Sequence, residues 1–295
     1  MSLGLTHGSR PQNTIARAIS TTVCRGLATE RVTREPQRQT TKERMTIRPT
    51  NEIDSWKIAS LNIKGKRYSN KKSKYKDIVT TIQLKKITIL AVQETKLKKK
   101  KEEDIMKENP KIMIISNDGN SKAGVAFIIN NDYIKDKTEN QWNYTVIIKG
   151  RVLTIQIKRN EQEYTIMNVY MPNRQKEKIK TINEIKEHIK KIENPNNLII
   201  TGDFNFVTDA LDRLPPHKDN NRISKNWTNI TNEYKLIDGW QKENKLERQF
   251  TYTQGKSLAR LDRIYTTKEI YDSTANWTIE ENNSISDYQI ITTTI

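Results

Sequence analysis

The chain has 295 residues, a net charge of +17 and an apolar fraction of 34%, enough length to bury a sizeable core beneath a heavily wetted surface. Its longest apolar stretches, such as Ile87–Val92 and Val125–Ile129, are too short to cross a bilayer. A single cysteine, Cys24, excludes an intrachain disulfide and a cysteine-based zinc cluster, so the chain reads as intracellular. The charge admits two readings. It suits a polyanionic partner, nucleic acid first, and it equally suits an A/T-rich gene, because Lys, Ile and Asn are all abundant.

Residues 1–50 stand apart from the rest, with eight Arg against one Lys and no acidic residue before Glu30. The segment has no sustained apolar period and is expected to stay disordered. Its acid-free start through Arg10, Arg17 and Arg25 bears a faint likeness to a mitochondrial presequence. Residues 51–295 form the expected folded domain.

From Ser55 onward, short Ile- and Val-rich runs alternate with polar stretches. Strands are expected over Lys57–Asn62, Ile87–Glu94, Lys111–Ser116, Gly124–Asn130, Tyr144–Lys149, Val152–Lys158, Tyr164–Tyr170 and Asn197–Gly202. A helix is expected from Arg174 to Glu193, with Ile179, Ile182, Ile185, Ile189 and Ile192 on one face and charged residues, His188 among them, solvated on the other. The segment Thr208–Tyr234 carries Pro215-Pro216 and little apolar periodicity, so it should open as an irregular surface loop, a common place for recognition. Some strands are consecutive and others are separated by helices, which predicts mixed sheets, two of them, with helices outside.

Several strands end in polar residues: Asn62, Glu94, the Asn168/Tyr170/Asn173 group, and Asp203 with Asn205. Asp262 and Asp287 join them later in the chain. Each alone is commonly a turn or a solvated strand end. Together, carboxylates and amides gathered where strands terminate are what a hard cation and a phosphate need.

The motifs Leu61-Asn62-Ile63, Gln93-Glu94-Thr95, Asn168-Val169-Tyr170-Met171-Pro172-Asn173, Gly202-Asp203-Phe204-Asn205, Leu261-Asp262-Arg263 and Ser286-Asp287 occur in the order found in the endonuclease/exonuclease/phosphatase superfamily, which the chain resembles over residues 56–295. Gly124-Val125-Ala126, Leu211-Asp212-Arg213 and Arg248-Gln249-Phe250-Thr251-Tyr252 resemble its LINE-type retrotransposon branch. The resemblance implies a four-layer α/β sandwich, two mixed sheets packed face to face and flanked by helices. It implies a DNA-nicking endonuclease that leaves a 3′-hydroxyl, uses Mg2+ (or Mn2+) and acts in the nucleus, with DNA as partner, no membrane and no small-molecule cofactor. By the same resemblance Glu94 binds the metal, with Asn62 and Asp287 completing its surroundings. Asp203 deprotonates the attacking water, Asn205 orients it, Tyr170 and Asn173 grip the scissile phosphate, and Arg213 and Thr251 lie near the DNA.

Two positions depart from the pattern. The superfamily's Ser-Asp-His reads Ser286-Asp287-Tyr288 here, so Asp262 has lost the histidine it would orient, and His7, His188 and His217 are not placed to replace it. Lys64 stands where members often carry Asp or Asn near the metal. The chain also stops at Ile295, where a LINE protein would continue into a reverse transcriptase. The competing expectations are therefore an active nickase, a non-catalytic nucleic-acid-binding remnant of the same fold and, last, a phosphatase acting on a small phosphorylated molecule or lipid.

Overall fold

A computed structural model describes residues 55–65, 74–118, 123–134, 142–159, 161–282 and 285–295. The N-terminal extension expected over residues 1–50 lies outside the described residues, as do Lys71 and Lys72. The elements run β1 (Lys57–Asn62), α1 (Lys74–Leu84), β2 (Ile89–Gln93), α2 (Lys99–Glu108), β3 (Ile112–Asp118), β4 (Gly124–Asn130), β5 (Asn143–Ile148), β6 (Val152–Arg159) and β7 (Gln162–Tyr170). They continue with α3 (Gln175–Ile189), β8 (Leu198–Asp203), β9 (Arg213–Leu214), α4 (Asn221–Glu233), β10 (Ile237–Asp238) and α5 (Gly239–Glu243). Last come β11 (Tyr252–Gln254), β12 (Ser257–Ala259), β13 (Asp262–Thr266), α6 (Lys268–Tyr271), β14 (Ala275–Glu280) and β15 (Ile290–Thr294).

Two mixed six-stranded sheets dominate, ordered β14-β15-β1-β2-β4-β3 and β10-β13-β8-β7-β6-β5; a small sheet β11-β12-β9 sits apart. The central strands read as unbroken apolar runs because both faces are buried. On β2, Ile89 and Ala91 enter the core shared with β6, β7, β8 and β13, whereas Leu90 and Val92 face the core shared with α1 and α2. On the other sheet, Met167 and Val169 of β7 and Ile200 of β8 meet Ile182, Ile185 and Ile189 of α3 and Trp227 of α4. Helix, sheet, sheet and helix thus form the expected four layers.

The structure corrects the sequence reading in four places. Helix α3 ends at Ile189, short of Glu193. His188 is half-buried, and burial lowers its imidazole pKa, so it is not a freely solvated side chain. The segment after Pro216 contains α4, whose Ile223, Trp227 and Ile230 form an apolar stripe thin enough to escape notice among Asn, Thr and Ser. Seven further strands, beyond the eight expected, follow Asp203, and β13 begins at Asp262.

The junction between the small sheet and the sandwich is ionic. Arg260 reaches Asp212 Oδ1 through Nε at 2.8 Å and Asp238 Oδ2 through Nη1 at 2.8 Å. Arg263 donates to the Phe206 carbonyl at 3.0 Å and lies 3.5 Å from Asp238 Oδ2. Both arginines are fully buried. A buried charge survives only when paired and hydrogen-bonded, and here two cations face two anions.

Candidate active site

The polar residues converge because strand direction and register bring them to one edge. Strands β1 and β2 are parallel with Asn62 opposite Gln93, and β7 and β8 are parallel with Tyr170 opposite Asp203. Strand β13 runs antiparallel to β8, so its first residue, Asp262, lies opposite Asp203, the last residue of β8. A strand start and a strand end are thereby equivalent places.

Local backbone geometry sharpens the edge. Gly202 precedes Asp203 at φ +136°, and a Cβ there would lie 1.9 Å from the Val169 carbonyl oxygen, so only glycine lets β8 approach β7 this closely. Lys64, Glu94 and Asn205 all take left-handed φ values, 51°, 54° and 51°. Asn tolerates that region; for Lys and Glu it costs on the order of 1 kcal/mol and concentrates where function needs an unusual exit angle.

Asn62 is the hub. Its Nδ2 donates to Glu94 Oε1 at 3.1 Å and to Asp203 Oδ2 at 2.9 Å, while its Oδ1 accepts the Lys64 backbone N–H at 2.9 Å. This amide orientation is chemically forced, because two carboxylates need a donor and an N–H needs an acceptor. Asn62 therefore bridges the carboxylates and does not turn its oxygen towards them. Tyr170 donates to the same Glu94 Oε1 at 3.0 Å, and Arg151 stacks 4.4 Å from the Tyr170 ring centroid. Burial, then Glu94, pushes the Tyr170 phenol pKa well up, so it stays a donor.

Asp203 is fully buried. Its Oδ1 accepts the Asn205 N–H at 2.9 Å and its Oδ2 accepts from the Asn62 amide. Burial outweighs these donors and raises its pKa to about 6, which suits a base that works near neutral pH. Asn205 Nδ2 is engaged with the Met171 carbonyl at 2.8 Å. Asp262 is fully buried and neither of its oxygens has a hydrogen-bond partner; burial and then Asp203 raise its pKa well above the carboxylate range. Tyr288 is buried near both carboxylates and makes no hydrogen bond to Asp262, which lacks the donor expected at that position. The Tyr288 ring stacks on Tyr252 with centroids 4.6 Å apart.

The remaining expected residues fall at the rim or behind the site. Asp287 is exposed and ion-paired with Lys64 at 2.6 Å. Asn173 is exposed just before α3. Arg213 is tied into its own loop by Asp219 at 2.8 Å and by His217 at 2.8 Å. Thr251 is fully buried, and its hydroxyl oxygen accepts the backbone N–H groups of Leu261 and Asp262 at 2.9 and 3.0 Å. Its side chain therefore shapes the start of β13 from beneath and offers no surface to DNA.

Three supporting residues had no role assigned by sequence. Gln93 donates to Asn168 Oδ1 at 2.8 Å, and Asn168 donates to the Val92 and Ala126 carbonyls, which clamps the two sheets together behind the site. Lys178 is buried on α3 and donates to the Asn205 carbonyl, holding that residue's left-handed turn. The signal for Lys178 was present: it shares the helical stripe of Ile182, Ile185 and Ile189, where a solvated lysine would not sit.

Among the described residues no helix is long and apolar enough to cross a membrane. Comparison with known proteins gives one partial relative, several structures of similar fold and one family profile. A Xenopus laevis relative, the transposon TX1 uncharacterized 149 kDa protein, is 30% identical over 139 residues; the match covers 46% of this chain and 11% of the relative. The endonuclease domain of TRAS1, a telomere-specific non-LTR retrotransposon, superposes with a TM-score of 0.58 at 15% identity, covering 81% of this chain and 98% of that one. A variant of the 3′ phosphatase NExo from Neisseria, solved with a product DNA hairpin, superposes with a TM-score of 0.63 at 15% identity over 81% and 98% of the two chains. The Endonuclease/Exonuclease/phosphatase family profile spans residues 59–287, and the chain belongs to that family.

Proposed function

We propose that the chain is a divalent-metal-dependent phosphodiesterase that nicks DNA and leaves a 3′-hydroxyl. The observation that carries this reading is the hub at Asn62, which holds a carboxylate of raised pKa, Asp203, and a second carboxylate, Glu94, to one amide. In the proposed reaction Asp203 takes a proton from water as the water oxygen bonds to phosphorus. The P–O3′ bond breaks, its electrons leave with the 3′ oxygen, and that oxygen takes up a proton. Tyr170, held as a donor, and Asn173 at the rim are placed to bind non-bridging oxygens. The retrotransposon relatives and the net positive charge support DNA as the substrate.

The donor chemistry at this edge fits magnesium, which takes oxygen ligands, keeps several waters and needs only one or two carboxylates. Among the described residues no group of three or more His, Cys, Asp or Glu is arranged as a metal cage. Glu94 would be the main ligand and Asp287 the second, once its lysine partner moves. When bound, the ion would neutralise charge on the phosphoryl group and the leaving oxygen.

One observation favours a second reading, a catalytically impaired remnant. Asp203 is wholly covered, and both its oxygens already accept hydrogen bonds, from Asn62 and Asn205. Plasmid nicking with Mg2+ decides between them. The proposal expects single-strand nicks that disappear with chelator and with Glu94→Ala, while DNA binding survives. Activity that persists in chelator refutes the mechanism, and DNA binding without nicks establishes the remnant.

A further inference from the structure

The two departures from the family pattern, Lys64 and Tyr288, are 224 positions apart in sequence and meet in space. The Lys64 Nζ stands 5.7 Å from the Tyr288 ring centroid and 5.0 Å from that of Tyr252, with Asp287 Oδ2 at 2.6 Å. Its backbone is fixed by the left-handed turn after β1 and by the N–H donated to Asn62 Oδ1. The side chain remains 27% exposed, so the ammonium is held at the site and is still reachable from solvent. Lys74 is close enough to feel Asp287, Glu94 and Lys64, and donates to the Ile63 carbonyl at 2.6 Å, which sets a second amino group beside the carboxylates.

A tyrosine at position 288 can donate a hydrogen bond but carries positive charge in neither of its protonation states. A lysine ammonium is a compact point charge with several donors on a flexible stem. Asp287 takes one of these donors until an ion would draw it away, and the aromatic faces of Tyr252 and Tyr288 hold the cation by their ring quadrupoles in either case. We propose that Lys64 supplies to the phosphoryl oxygens the positive charge that Tyr288 cannot, so that the second substitution compensates for the first. The proposal rests on the phosphodiesterase reading above and deepens it by adding a residue that contacts the substrate phosphate.

The test is a cycle of Lys64→Met and Tyr288→His, with Lys64→Arg as the conservative variant and Lys180→Met, on the exposed face of α3, as the control. Two readouts are taken: single-turnover nicking with Mg2+, and affinity for a short duplex in chelator. Lys64→Met should lower nicking about 10²–10³-fold, the loss typical of one oxyanion donor. In the Tyr288→His background the same change should cost about tenfold or less, and Lys64→Arg should keep most of the rate. Affinity in chelator should fall about fivefold with Lys64→Met and stay within about twofold with Lys180→Met, as for one phosphate contact. Equal losses in both backgrounds would overturn compensation. A rise in rate and in Mn2+ affinity with Lys64→Met would show instead that the lysine blocks the metal seat. If the parent makes no nicks at all, the phosphodiesterase reading fails, and the affinity readout decides alone: an unchanged affinity overturns the role of Lys64.

Discussion

Replacing Asp262 by asparagine should stabilise this protein at neutral and alkaline pH. Asp262 is fully buried, beside Asp203, with neither oxygen hydrogen-bonded. Its folded-state pKa is raised, so the carboxylate contributes stability that is fully present below its unfolded pKa of about 3.9 and is lost as pH climbs through the folded value. Each unit of that rise costs about 1.4 kcal/mol. Asparagine removes the charge and leaves an amide of the same shape with its own unmade hydrogen bonds, a penalty of about 1–3 kcal/mol. Near pH 4 the parent carries a neutral Asp262, so the two proteins should be equal or the variant slightly worse. By pH 8 the variant should lead by about 1–3 kcal/mol, a few degrees in melting temperature for a domain of this size. Urea unfolding at half-unit intervals from pH 4 to pH 8 measures the difference directly. A gap that stays constant with pH, or a variant less stable than its parent at pH 8, would refute the claim that Asp262 is an unpartnered buried carboxylate.

Restoring histidine at position 288 should raise nicking about tenfold while Lys64 is present and about 10²–10³-fold once Lys64 is removed; the imidazole would find Asp262 waiting as its partner, so a gain that survives Asp262→Ala would sink that pairing. Duplex affinity should fall steeply with salt, with a log–log slope of roughly −0.9 per phosphate contact; a flat dependence from low to moderate salt would argue against DNA as partner. A chain beginning at residue 51 should melt within a few degrees of the full one, because the apolar clusters of the described residues are complete in themselves from Trp56 onward. Collapse of the fold on that deletion would show that the domain boundary is misplaced.

The legibility of the fold in sequence tracked how its strands are buried. Strands such as β2 and β4 are covered on both faces, so each appears as an apolar run, Ile89–Val92 and Val125–Ile129, whatever its neighbours are. Beyond Asp203 the chain uses strands as short as Arg213–Leu214 and Ile237–Asp238, which cannot display a period, and it secures them with buried ion pairs in place of apolar runs. Helix α4 escaped for a related reason, since three apolar side chains carry its whole buried face. At the site, residue types and motif order were readable, but orientation was not. That Asn62 bridges to Asp203 and that Lys64 closes on Asp287 are contacts between distant segments, which no local pattern encodes. The one orientation that could have been read was that of Lys178, a charge placed on an apolar helical stripe.

The paired charges Arg260, Arg263, Asp212 and Asp238 have a consequence for how such a chain can drift. Their sum is zero only while all of them remain; losing any one leaves an uncompensated buried charge, a penalty of about 3–5 kcal/mol. Replacing several together by apolar residues can be neutral or better, but that path passes through single losses which a marginally stable domain does not survive. The cluster therefore acts as a ratchet. A copy of this gene released from selection on nicking can exchange residues at the catalytic edge and still fold, while the junction beneath the small sheet stays locked. Drift in this lineage should accordingly be written first in the chemistry and last in the arginine–aspartate seam.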